Sequence, residues 1–370
     1  MKKLTVSIAV WLVFALGTSV FFSSSTKAQV DNPNVDNTVG MVRPQTGPHP
    51  GVNSINVITT PDGYDNFDLG VDFAEGHTST NPRYPTWWFN CWNTNNTSNH
   101  HSENGLDWAS GNAPFPTNSG DPVSAYDSLG NLYWMTMNGP TITGTWVSKS
   151  TNNGQTWGTA AASNTGNDKN WLAADQTMGP YANYVYGTMT PGTFTRSTDQ
   201  GASFTQTWSF STQNLPGMMV CVGPNVLAGN NVPGGCVYVV TNSGSSFAAT
   251  YTFYRSTDGG ATFTLSSSQN FANYVGTNVG GRNSVQNFRT RPYPFITADN
   301  SYGPLRGRLY LIYASNNPAG DGNKSDVYCR YSTDQGVTWS SPVIINDDAN
   351  SQNNYQWHPA TWCDKETGRL

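Results

Sequence analysis

Five residues, Ser197-Thr198-Asp199-Gln200-Gly201, recur unchanged as Ser332-Thr333-Asp334-Gln335-Gly336, too far apart to belong to one local tract. A repeat at this separation constrains the fold more than any composition does. Extending the frame to Ser-x-Asp/Asn-x-Gly-x-x-Trp/Phe finds four copies: Ser150, Asn152, Gly154 and Trp157; Ser197, Asp199, Gly201 and Phe204; Ser256, Asp258, Gly260 and Phe263; Ser332, Asp334, Gly336 and Trp339. A strand-like run precedes each copy (TGTWVSK, GTFTR, YTFYR, DVYCRY) and another follows, so each copy is expected on a hairpin turn. There Ser and Asp side chains bond turn amides, Gly takes a positive φ, and the aromatic packs inward.

Each unit also contains an apolar strand ending in Asp, a Gly-containing turn, and a strand beginning Leu-Tyr or Val-Tyr, as in DPVSAYDSLGNLYWMTM from Asp121 and YPFITADNSYGPLRGRLYLIY from Tyr293. Two hairpins per unit make four antiparallel strands, and such units in series predict an all-β propeller. In HHSENGLDW, Gly105 and Trp108 hold the frame while His101 and Glu103 replace Ser and Asp, which reads as a degenerate first blade. At the other end YQWHPATWCDKETGRL restarts the pattern and stops at Leu370, so the expectation is a six-bladed propeller over residues 52–370 whose sixth blade is cut short, a fragment of a longer chain. Val52–Thr60 is a candidate for the outer strand that closes the last blade.

The mature part is expected to be exported. Lys2 and Lys3 precede an apolar run and a small-residue site, which marks residues 1–28 as a signal peptide, with an uncleaved anchor as the alternative, and 29–51 as a flexible segment. No later stretch is apolar enough for a membrane span, and the protein is placed as secreted or at the cell surface. Charged residues make up only 11% of the chain and the net charge is -5 with no basic run, which argues against nucleic acid as a partner. Cys91, Cys221, Cys236, Cys329 and Cys363 lack CxxC spacing, which argues against zinc, and Cys221 with Cys236 is the best candidate disulfide.

The repeated frame is that of the Asp-box or BNR repeat, and the chain from about Val52 onward resembles the sialidase-like six-bladed propellers. The resemblance implies extracellular glycans or glycoconjugates as partners and boxes that serve as structural turns. It also implies a catalytic set of three arginines, an aspartate acid, and a tyrosine nucleophile activated by a glutamate. That set is not identifiable in full: Arg83 and Arg291 are the nearest matches to the first arginine, Asn81–Pro85 reads better as a turn, and the chain has only three glutamates, Glu75, Glu103 and Glu366. Arg196 and Arg255, each just before a box, are assigned structural roles.

Propellers bind ligands where the innermost strands converge, so the residues that open those strands carry the functional expectation. Stepping back six residues from each strand-closing Asp gives Asp121, Lys169, Tyr293 and His358; Asn81 in the first blade gives Glu75, and the fourth blade places Met218 or Met219 there. The expected site is therefore a ring with Asp121, Glu75, Tyr293 and Arg291 as catalytic candidates and Lys169, His358 and His77 as substrate contacts. Glu75 and Asp121 at hydrolase spacing would favour glycoside cleavage. The competing account is that polar residues only cap a wet channel. Trp87, Trp88 and Trp92 are weighed as sugar platforms against packing between blades. No cofactor is expected: Asp62, Asp65, Asp68 and Asp72, or residues 321–326, offer oxygens to Ca²⁺ but complete no loop pattern. A glycoside hydrolase leads, followed by a glycan- or protein-binding propeller of a larger surface protein and an endo-acting enzyme with a second propeller.

Overall fold

The computed structural model describes residues 56–59, 61, 63, 65–69, 75–93, 98–227, 230–245, 248–285, 288–316, 324–348 and 354–370. The signal and N-terminal segments, Asp62, Asp72 and 321–323 lie outside them. Among the described residues no helix is long and apolar enough to cross a membrane.

Five four-stranded antiparallel sheets follow one another along the chain as the blades of a β-propeller. Blade one comprises His77–Thr80, Trp88–Trp92, Ser98–Ser102 and Ala109–Gly111. Blade two comprises Gly120–Tyr126, Leu132–Met137, Gly144–Ser150 and Ala161–Thr165. Blade three comprises Asp168–Ala174, Val185–Thr190, Thr193–Ser197 and Thr205–Ser209. Blade four comprises Met219–Leu227, Asn230–Ser245, Ala248–Ser256 and Thr264–Asn273. Blade five comprises Phe295–Ala298, Leu309–Asn316, Ser325–Ser332 and Val343–Ile344. A three-stranded sheet, Thr277–Val279, Arg282–Val285 and Phe288–Arg289, is inserted between blades four and five.

A sixth unit contributes an extended segment ending in a turn at Asp364–Arg369. Asp364 N–H donates to the Arg369 carbonyl at 2.8 Å, the bond that Asp299 makes to Arg308 and Asp175 to Tyr184 in their blades. The segment packs on blade five, where Gln356 N–H donates to the Ser325 carbonyl at 2.9 Å. Of the Val52–Thr60 segment only Asn56–Thr59 is among the described residues; it pairs with Asp65–Asp68 as a two-stranded hairpin, and Phe67 lies 6.5 Å from Trp108 of blade one.

The repeated frame works as turn chemistry predicts. Each Ser hydroxyl accepts the amide of its Gly, at 2.9 Å (Ser150–Gly154), 2.7 Å (Ser197–Gly201), 2.9 Å (Ser256–Gly260) and 2.8 Å (Ser332–Gly336). The Asn or Asp oxygen accepts an amide four residues on, at 3.0, 2.9, 3.0 and 2.9 Å. Blade one has the same device one residue shorter: Gly105 N–H donates to Ser102 Oγ at 2.9 Å and Asp107 N–H to Asn104 Oδ1 at 2.8 Å. Ser102 and Asn104 therefore hold the roles that the uninterrupted frame assigned to His101 and Glu103. A one-residue deletion had shifted the apparent alignment.

These turns also fasten blade to blade. A Cβ on Gly154, Gly201 or Gly260 would lie within 3.0 Å of Phe89, Tyr133 or Phe194, each an aromatic of the preceding blade. Trp157 packs edge-on against Phe89 at 5.5 Å, and Phe263 against Phe194 at 4.7 Å. Buried aromatics of this size contribute on the order of 2 kcal/mol each, so the core is spread around the ring of blades.

The five cysteines are unpaired thiols. Cys221 stands opposite Tyr238 and Cys236 opposite Gly223, so the two are diagonal rather than facing. Diagonal partners sit roughly 7–8 Å apart, beyond the usual reach of a disulfide.

Candidate functional site

Strand pairing gives an alignment of the blades that does not depend on sequence. In blades two, three and five the residue closing the first strand pairs with the residue opening the second, which pairs with the Ser of the turn frame: Tyr126–Leu132–Ser150, Ala174–Val185–Ser197 and Ala298–Leu309–Ser332; in blade four, whose first hairpin runs on past this point, the triplet that reaches the frame's Ser is Val222–Val237–Ser256. In blade one it is Thr80–Trp88–Ser102. Five residues before these closing positions lie Glu75, Asp121, Lys169, Gly217 and Tyr293. Blade four thus contributes Gly217, not Met218 or Met219, whose side chains are buried in apolar clusters. The displacement arises because blade four has no Asp at the strand end to count from.

The opening positions share an unusual backbone. Glu75, Asp121, Lys169 and His358 have φ of 63°, 48°, 35° and 49°, and Gly217 has 114°. A left-handed residue other than Gly costs on the order of 1–3 kcal/mol and persists only where its surroundings enforce it. In blades two and three the cause is visible: the ladder slips between Gly120 and Val123 and between Asp168 and Asn170, leaving Asp121 and Lys169 as bulged residues. A bulge of this kind re-aims a side chain out of the sheet's alternation.

These side chains meet. Asp121 lies within hydrogen-bonding reach of Glu75, and its carboxyl is held well above the usual range, first by burial and next by the charge of Glu75, with Lys169 opposing. The charge of the neighbouring Glu75 disfavours ionisation of the Asp121 carboxyl. Asn93 Nδ2 donates to Glu75 Oε2 at 2.7 Å, and Asn170 Nδ2 donates to the Asp121 carbonyl at 3.0 Å. The Lys169 ammonium stands 6.0 Å from the Tyr293 ring centroid, and Tyr293 is 6.0 Å from the His358 ring. Loss of hydration lowers His358 to about 4, with Lys169 adding to the effect. His358 nevertheless keeps exposed area, as Glu75 does. The ring thus opens to solvent at Glu75 and His358, and the space that these side chains surround is the candidate recess.

A second layer lies below. Two residues further along their strands, His77, Trp171 and Phe295 pack edge to face, with Trp171 5.3 Å from both His77 and Phe295. Ser124 N–H donates to His77 Nδ1 at 3.2 Å, which assigns the ring proton to Nε2, and burial lowers its pKa to about 4. His77 is therefore a neutral floor residue beneath the ring. Trp171 also packs against the clusters that contain Val123 and Met219 and so closes the recess from below.

The remaining candidates divide. Arg291 is half-buried, and its carbonyl accepts Tyr293 N–H at 2.9 Å. Arg289 is the arginine whose charge acts on His358. Arg196 donates to the carbonyls of Asp258 and Gly259 in the next blade, a structural tie as expected. Of the tryptophans weighed as platforms, Trp92 is buried and stacked on His100 at 4.9 Å, and Trp87 is stacked on Tyr84 at 4.7 Å. No group of three or more His, Cys, Asp or Glu side chains suited to a metal occurs among the described residues. Sequence reading passed over Asn93, Arg289, Gly217 and Trp171. The signal for Gly217 and Trp171 was present, since both follow from the correct strand register.

No family model matches the chain, and no curated protein does. Among solved structures it is similar to the Hadza microbial sialidase Hz136, at 16% identity and a TM-score of 0.43 over 74% of this chain and 58% of that one. It is similar to a mutant of NanB sialidase from Streptococcus pneumoniae, at 9% identity and a TM-score of 0.44 over 73% and 61%. It is also similar to YCF48 bound to a peptide, at 13% identity and a TM-score of 0.35 over 74% and 72%. The chain thus spans 58% of the first of these proteins, and nothing about activity follows from likenesses at this level.

Proposed function

We propose that this protein acts on extracellular glycans, as a sialidase-like glycoside hydrolase whose site is the recess at the opening of the innermost strands. The observation that carries the reading is the Asp121–Glu75 pair, a carboxyl kept protonated by burial and by a neighbouring carboxylate. Such a group is suited to general acid catalysis near neutral pH. Asp121 protonates the glycosidic oxygen as the bond to the anomeric carbon breaks.

Glu75 acts on Asp121 as a neighbouring carboxyl, and the attacking group is drawn from elsewhere in the ring. Tyr293, whose ring centroid is 6.0 Å from the Lys169 ammonium, is the candidate nucleophile. As the Tyr293 oxygen attacks the anomeric carbon its proton passes to Glu75, and water then breaks the glycosyl–tyrosine bond, giving a proton to Asp121 while Glu75 returns one to the tyrosine oxygen. Lys169, His358, Arg289 and Arg291 bind the sugar, and His77 supports the floor.

A binding-only propeller is the second reading. It is favoured by the fate of the arginines: Arg196, Arg306 and Arg330 are each held by main-chain carbonyls, which leaves no three-arginine clamp assembled from them. The test is sugar release from fluorogenic sialosides and neutral glycosides by the full chain and by Asp121→Asn. A fall of about 10²–10⁴-fold in the variant is expected. A folded protein that binds glycans and releases nothing supports the second reading instead.

A further inference from the structure

An aromatic strip leads out of the recess. Tyr293 and His358 belong to the ring; His358 is 5.0 Å from Trp357, and Trp357 is 5.8 Å from Phe288, whose ring is 37% exposed. Neighbouring residues on an extended chain normally point to opposite sides. The left-handed φ of 49° at His358 breaks that alternation and brings its ring beside that of Trp357. Phe288 comes from the sheet inserted between blades four and five, so the strip joins an insertion to the sixth unit. Arg289, next to Phe288, is close enough for its charge to act on His358.

Tyr293 reaches its place because blade four has no side chain at the opening position. A Cβ on Gly217 would lie 2.5 Å from Tyr293 Cδ1, so the tyrosine ring lies over the glycine. The ring contacts are thereby continuous from Tyr293 and His358 inside the recess to Trp357 and Phe288 outside it.

We infer that this strip is a second sugar-binding subsite, and that the protein's ligand is a chain of at least two sugars whose distal residue stacks on Trp357 and Phe288. The inference rests on the proposed glycan site in the recess. An aromatic face by itself accepts any flat apolar ligand. Its continuity with a recess of carboxyls, an ammonium and imidazoles calls for a ligand that presents hydroxyls at one end and a C–H face at the other.

The test is calorimetric titration of the full chain with 3′-sialyllactose, chitotetraose and arabinotetraose, each beside its single sugar. Expected is one oligosaccharide that binds at least about tenfold more tightly than its single sugar. Trp357→Ala and Phe288→Ala should remove that advantage and leave single-sugar affinity unchanged, while Trp357→Phe keeps most of it. Equal affinity for chain and single sugar, or variants that weaken both alike, overturns the subsite while leaving the recess intact. No binding by any member of the panel overturns the reading of the recess and the subsite together.

Discussion

The two ends of the blades follow opposite rules. At the turn frames four blades place the same residue types, and nearly every polar atom is matched: Ser to the Gly amide, Asp or Asn to an amide four residues on. At the openings of the innermost strands the strand register brings Glu, Asp, Lys, Gly and Tyr, the segment after blade five adds His358, and four of these six are held in left-handed conformations other than glycine's. Sameness at one end serves the fold, because every blade needs the same fastener. Left-handed residues stand at both ends, since Asn153, Gln200 and Gln335 of the frames have φ of 57°, 56° and 59°; what sets the openings apart is their variety of residue type, and that variety motivates the proposed site.

The contrast can be broken most forcefully at Asp121. Asp121→Asn should lose about 10²–10⁴-fold in sugar release with an undiminished thermal midpoint, since it relieves an acidic pair. A large loss of folding instead would make the ring structural. The converse test is Gly201→Ala, where φ is +82° and the new Cβ would lie 2.9 Å from buried Tyr133. A loss of roughly 2–3 kcal/mol in chemical denaturation is expected, with unchanged activity per folded molecule.

Asp175 gives a smaller effect with a defined pH sign. Its Oδ2 is buried without a partner, and desolvation raises the carboxyl from 3.8 to about 6. The folded state therefore holds this proton more tightly than the unfolded one. The stability it contributes is fully present below 3.8 and is lost as pH rises through about 6. Asp175→Asn should raise stability by on the order of 2 kcal/mol at pH values above about 7 and give no gain in acid, read from melts across pH. The smallest effect belongs to Lys169→Met: by removing one of the two main influences, it should move the His358 titration part of the way up from about 4 in an NMR titration, with burial still holding it low.

Legibility in the sequence followed the same division. The turn frame was readable because hairpin chemistry is local, and the ring was reachable because one residue step, counted from a strand-closing Asp, converts the repeat into a register. Where a local insertion or loss intervened, counting failed: the shortened turn at Ser102–Asn104 hid behind His101 and Glu103, and blade four, lacking its Asp, hid Gly217 behind Met218. That Glu75 and Asp121 are neighbours was legible from adjacent blades; how close they stand was not, because it depends on the distance between those blades. Nor was the placement of Arg289, which comes from an inserted sheet outside the repeat. Trp171 was set by register yet overlooked, since nothing in the residue itself separates a channel plug from an interblade contact.

The proposed chemistry depends on a protonated Asp121 carboxyl, and infrared difference spectroscopy of the full chain reads that proton directly. At neutral pH the wild type should show a protonated-carboxyl band that is missing from Asp121→Asn. Superimposable spectra in that region would mean that both carboxyls are ionised, and would contradict the acid role given to Asp121.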